Sequence, residues 1–220
     1  MRELFQADMK ALGDQLEEIA GLVRRAVEQA RTAFETADVE LAETVISEDA
    51  RIDYLQNTLD EKAIELLLLQ SPVATDLRTL VAALRMSSSL ERTGDLARHI
   101  AQLTRLRYPE HVVPESRREA FKALADNTVE VAVKLDELLK THDLDLTREI
   151  VKLNTEIDEI HEANFAAIAD PSWEGTPYQT ADVTLASRYF ERIADHSVSI
   201  ARKVAYLVTG EWEPNVASAE

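Results

Sequence analysis

Three pairs of acidic residues, Asp49/Asp53, Glu91/Asp95 and Glu191/Asp195, stand four positions apart with no lysine between them. On a helix such residues share one side, with about 5–6 Å between Cβ atoms. Two carboxylates held that close repel unless a cation or solvent separates them. Oxygen donors without thiolates suit hard or borderline cations: Mg, Ca, Mn, iron, or zinc with water. With 41 acidic residues in a 220-residue chain such pairs also arise by chance, and each alone reads as a solvated acidic face. Recurrence sets these apart. Glu91-Arg92-Thr93-Gly94-Asp95 returns as Glu191-Arg192-Ile193-Ala194-Asp195 a hundred positions later, and Arg51-Ile52-Asp53 is echoed by Glu156-Ile157-Asp158. Gly94 and Ala194 are small at the same step, leaving room for another helix or a metal. On an ideal helical wheel the acids project beside or opposite the apolar stripe, so open, surface-lying sites are expected.

Other side chains add less. Asp158-x-x-His161 has the spacing of carboxylate-bridged di-iron bundles, but that template needs two Glu-x-x-His strings on different helices. His196 follows Asp195 directly, and adjacent helical residues point about 100° apart, which makes it a weaker ligand candidate. His99, His111 and His142 read as ordinary surface residues. Arg92 and Arg192 either pair with a neighbouring acid or orient ligand carboxylates from behind. No nucleophile elbow, Walker loop or dinucleotide fingerprint occurs, and the 5 glycines are spread singly. The absence of cysteine excludes thiolate zinc sites, iron–sulfur centres and a cysteine nucleophile. The chain reads as a binding protein and not an enzyme.

The elements that position these acids are helices. Phe5, Met9, Leu12, Leu16, Ile19, Val23, Val27, Ala30 and Phe34 step by four and three along one stripe. Thr36-Ala37-Asp38 breaks it, with Asp38 an N-cap for the next helix. A second stripe from Leu41 to Leu66 ends at Ser71-Pro72, where a third helix is expected to start, carrying Leu77, Leu80, Leu84, Leu90, Ile100 and Leu103 up to Tyr108-Pro109. A proline-bracketed linker, 109–114, is followed by helices over about 115–140, from Asp143 to Asp170-Pro171, and from Pro177 to Thr209-Gly210. The expected fold is all-α: two tandem antiparallel three-helix bundles, six helices in all, related by internal duplication. Domain boundaries fall at 1–109 and 114–210, with a frayed tail over 211–220.

A formal net charge of −17, from 41 acidic against 24 basic residues, disfavours nucleic acid and direct adsorption to anionic membranes. It favours metal cations and basic protein surfaces. The start, Met1 to Asp8, lacks the apolar stretch of a signal peptide, and Leu66-Leu67-Leu68-Leu69 is too short to span a bilayer. A soluble cytoplasmic protein is expected.

The duplicated Glu-Arg-x-[Gly/Ala]-Asp string in the third helix of each unit resembles the PhoU family of phosphate-transport regulators. The stretch Glu191-Arg192-Ile193-Ala194-Asp195-His196-Ser197 through Tyr206-Leu207-Val208-Thr209-Gly210-Glu211 is similar to the family's C-terminal signature, and the resemblance runs from about Met1 to Glu211. It implies a negative regulator of the phosphate-starvation response, acting at the cytoplasmic membrane face between a phosphate ABC transporter and a sensor histidine kinase. It also implies homodimers, and multinuclear metal clusters, iron in particular, held by paired [Glu/Asp]-x-x-x-Asp motifs. Carried onto this chain, one cluster would use Asp49, Asp53, Glu91 and Asp95. The other would use Asp158, Glu191 and Asp195, with Asn154 where a fourth acid is expected and His196 beside it. An amide oxygen brings no charge, so this second site is expected to be the weaker. The competing readings are a metal-storage or metalloenzyme bundle, which would need buried redox sites with histidines, and a plain helical scaffold.

Overall fold

A computed structural model describes residues 2–211, so the expected tail lies, past Glu211, outside the described residues. Six helices account for nearly all of them: α1 (Arg2–Thr36), α2 (Val39–Gln70), α3 (Ala74–Arg107), α4 (Glu115–Thr141), α5 (Leu144–Ala169) and α6 (Pro177–Thr209). Local chemistry sets their ends. The Asp38 carboxylate accepts from the Leu41 amide at 3.0 Å and starts α2. Asp143 does the same for α5 through the Asp145 amide at 3.0 Å. Thr176 and Gln179 form a reciprocal capping box over Pro177, and Gly210 closes α6 in the left-handed region at φ 76°. The start of α3 differs from expectation. Pro72 lies outside the helix and Val73 is the cap residue, without a side-chain hydrogen bond.

α1, α2 and α3 pack on one another, as do α4, α5 and α6. The two bundles then join through α1 against α4, α3 against α6, while α2 and α5 touch only their own bundle. The buried apolar residues form one continuous core across the junction. At the junction the ring of Phe34 of α1 lies 5.8 Å from Phe121 of α4 and 5.4 Å, edge-on, from Phe190 of α6. Ion pairs flank this contact. Arg107 of α3 grips the buried Asp182 of α6 with both ends of its guanidinium (2.5 and 3.0 Å), and Arg31 of α1 reaches Asp126 of α4 at 2.8 and 2.5 Å. Leu77, expected in the core, is 41% exposed because it lines an open groove between the start of α3 and the end of α6.

The duplication persists inside the core. Ser87 and Ser187, a hundred positions apart, are both fully buried, the first bonded to Asp60 at 2.8 Å, the second to His161 at 2.8 Å and Asn164 at 3.0 Å.

α2 packs tightly against α3 at Gly94: a Cβ there would stand 3.0 Å from Ile52 Cδ1 and 3.5 Å from Asp49 Oδ1. A branched side chain has no room. Gly94→Val is expected to lower stability by about 1–3 kcal/mol in urea unfolding, despite valine's better helix propensity. An unchanged midpoint would mean that α2 does not pack this closely.

Candidate acidic sites on two helix seams

The register of α2 against α3 brings Asp49 and Asp53 to face Glu91 and Asp95. Burial pushes the Glu91 carboxyl above its ordinary range, and Asp95 and then Asp53 push it the same way, against the pull of Arg92. Asp49 is also raised: burial outweighs the attraction of Arg98, with Asp53 and Asp95 adding to it. These acids are less open than the helical wheel implies, Asp49 being 7% and Asp95 9% exposed. They flank the apolar stripe, and a flank is covered when a second long helix approaches as closely as Gly94 permits.

One residue in this group went unread in the sequence. Arg98 places its Nε 2.5 Å from Asp49 Oδ2 on α2 and donates from Nη2 to Asp95 Oδ1 on α3. Arg92 completes Asp95 by donating to Oδ2 at 2.9 Å. Burial opposes ionisation of Asp95, yet the bonds from Arg98 and Arg92 outweigh it and hold the carboxyl below its ordinary range. Arg98 thus stands between the carboxylates of two helices, where a cation would otherwise be called for. The spacing Asp95-x-x-Arg98 was visible as a helical pair, but its reach to Asp49 depends on α2.

In the second half Asp158 of α5 faces Glu191 and Asp195 of α6. Burial, then Asp195, with Asp158 adding, raises Glu191 to about 7, against Arg188 and Arg192. Burial and Asp195 raise Asp158 as well. Arg188 donates to Glu191 Oε2 at 2.6 Å and Arg192 to Asp195 Oδ2 at 3.3 Å, each on its own helix. Val198 occupies the position equivalent to Arg98. Among the described residues no arginine joins Asp158 to the α6 acids by an ion pair. Asn154 donates to Asp158 Oδ2 at 3.1 Å, and its own Oδ1 is buried with no hydrogen-bond partner. His196 sits half-buried near Arg92 of α3, so it lies toward the α3–α6 seam. Burial, then Arg192, push its imidazole below the ordinary range. His161 is engaged by Ser187 and stacks edge-on to Phe165. His99, expected at the surface, is partly buried and packs at 5.3 Å on Tyr189.

Both seams therefore gather the acids that the sequence paired. Among the described residues no three Asp, Glu or His side chains form a closed set of metal ligands. The donor chemistry nevertheless fits a hard cation at the second seam: crowded carboxylates, an unpartnered amide oxygen and no bridging arginine. At the first seam the bridging charge is already supplied by Arg98.

A duplicated three-helix unit with an acidic group on each second-to-third helix seam defines an all-α, two-repeat helical protein. Comparison with known proteins specifies the kind. The PhoU domain model matches residues 16–104 and again 119–204. The chain is 37% identical over 212 residues to phosphate-specific transport system accessory protein PhoU homolog 2 of Mycobacterium tuberculosis, covering 96% of this chain and 100% of that one. It is 35% identical to PhoU homolog 1 of Mycobacterium leprae, over 96% of each. The crystal structure of PhoU from Pseudomonas aeruginosa superposes with a TM-score of 0.86 at 25% identity, covering 94% of this chain and 100% of that chain. The chain belongs to the PhoU family.

Replacing the bridging arginine tests its role. Arg98→Gln removes the cation that joins Asp49 to Asp95, leaving Asp95 with Arg92 alone and Asp49 with no ion pair among the described residues, and is expected to cost about 2–4 kcal/mol at neutral pH. Added Mg²⁺ or Mn²⁺ should recover part of that loss in the variant and little in the parent, read as shifts in the thermal midpoint. Equal stability of the two proteins would remove Arg98 as the internal cation.

Proposed function

We propose that this protein is a negative regulator of phosphate uptake and of the phosphate-starvation response, a cytoplasmic adaptor between a phosphate ABC transporter and a sensor histidine kinase. The observation that carries the reading is the match of both repeats, over nearly the whole chain, to accessory proteins of phosphate-specific transport systems. Two features are in keeping with it. No helix among the described residues is long and apolar enough to cross a membrane, so contact with a membrane complex falls to the protein's surface. The polar groups are carboxylates and arginines in ion pairs, which serve binding and ion holding better than bond-breaking chemistry.

The acidic seams are its metal sites in this proposal, the α5–α6 seam foremost. Asp158, Glu191 and Asp195, with the amide oxygen of Asn154, would hold an iron, manganese or zinc ion. The ion would relieve the repulsion among carboxylates and fix α5 to α6.

Deletion of the gene is expected to derepress a starvation reporter and raise phosphate uptake in phosphate-replete cells, with the parent sequence restoring both. An unchanged reporter would defeat the regulatory reading. Elemental analysis separates out the metal: protein purified without chelator should carry a transition metal that Glu191→Gln/Asp195→Asn loses. Metal content equal in both proteins, or absent from both after reconstitution with Fe(II), Mn(II) and Zn(II), would remove the cluster and leave the regulator untouched.

A further inference from the structure

The surface charge of this acidic chain is segregated. From Leu77 to Leu90 on α3, and from Ser197 to Thr209 on α6, there is no Asp or Glu, whereas Arg78, Arg85, Arg202 and Lys203 all fall there. In a chain with 41 acidic against 24 basic residues, two such stretches meeting in space are conspicuous. They do meet. α3 and α6 run antiparallel, placing the first turns of α3 beside the last turns of α6, and between them lies an open groove of about 320 Å³. Its lining is Leu77, Arg78, Val81 and Arg85 of α3 with Lys203 and Tyr206 of α6, floored by Ala82.

The lining is apolar where it faces outward and cationic at its edges. Leu77 and Val81, one turn apart, are 41% and 37% exposed. The Arg78 guanidinium lies over the Tyr206 ring at 5.8 Å and donates to the Thr75 hydroxyl at 3.2 Å. Lys203 donates to the Ser199 carbonyl at 3.0 Å and its hydroxyl at 2.7 Å, and makes no ion pair among the described residues. Burial, and then the neighbouring Arg85, push its ammonium below the ordinary range. Among the described residues Arg78, Arg85 and Lys203 make no ion pair, unlike Arg31, Arg98 and Arg107.

Spacing decides the shape of what would complement them. Arg78 and Arg85 are seven residues apart, two helical turns and about 10 Å along the axis. A single phosphate does not bridge that distance. A helix laid along the groove does: its acids at seven-residue spacing would face the two arginines, while its apolar stripe would fill the trough over Leu77, Val81 and Tyr206. Anionic membrane is disfavoured by the −17 charge of the remaining surface. We propose that the α3–α6 groove is a docking site for an acidic amphipathic helix of a partner protein, read by Arg78, Arg85 and Lys203 at its edges and by Leu77 and Val81 in its trough. This rests on the groove's own charge and shape and is independent of the regulatory reading above.

The test uses the full chain and a designed probe. A labelled amphipathic helical peptide with a leucine stripe flanked by glutamates at seven-residue spacing is titrated by fluorescence anisotropy, beside an isomer with lysine for each glutamate. The glutamate peptide is expected to bind at least about tenfold tighter than the lysine peptide and to weaken as salt rises. Arg78→Glu/Arg85→Glu should reduce its affinity by about tenfold or more, with helical content and thermal midpoint retained because these side chains are exposed. Leu77→Ser/Val81→Ser should weaken it independently of salt. As the chain has no cysteine, an environment-sensitive dye on Val81→Cys reports whether the peptide seats in the trough. Equal binding of both peptides, glutamate-peptide binding indifferent to the arginine reversal, or binding of phosphatidylglycerol vesicles or inorganic phosphate in place of the peptide would each overturn the proposal.

Discussion

Everything in this molecule hangs on a single apolar seam. Each bundle could bury only the inner stripe of its three helices. Joining α1 to α4 and α3 to α6 converts two thin cores into one, with Phe34 wedged against Phe121 and Phe190. Burial of this kind is roughly proportional to area, so the shared core contributes more than two separate ones would. The ion pairs beside it, Arg107 with Asp182 and Arg31 with Asp126, add direction where the aromatic contact has little. They fix how far one bundle slides along the other. That offset determines which parts of α3 and α6 are covered and which are left open.

What the sequence disclosed follows the range of the interaction. Helix ends written in three or four residues, such as Asp38, Asp143, Thr176 and Gly210, are legible because a cap bonds its own first or last turn. So was the four-residue spacing of the acids, and so was the duplication. Pro72 misled because proline suits both the first turn and the approach to it, and only the path of the chain decides. Partners across helices were not legible. Nothing in Arg98 or Asp49 alone says that they meet, and Asp182 looks like any surface aspartate until α3 delivers Arg107 to it. Leu77 satisfied the apolar period, yet period says which face is apolar and not whether anything covers it.

The two halves have also parted from each other in charge. The first seam holds Arg98 where the second has Val198, and the second holds Arg188 where the first has Ser88. One substitution links two helices, the other decorates one. A duplicated scaffold can therefore keep three of four acids, with Asn154 standing where the first copy has Asp49, while a positive charge joins the two helices of the seam in the first copy only.

α3 is an unbroken helix of 34 residues, about 50 Å long. The open groove lies near its beginning, the first acidic seam at its middle and the Arg107 grip on Asp182 at its end. It is in effect one rod that carries groove, seam and clamp in fixed register, so none of the three can be repositioned along the molecule without breaking the helix that joins them.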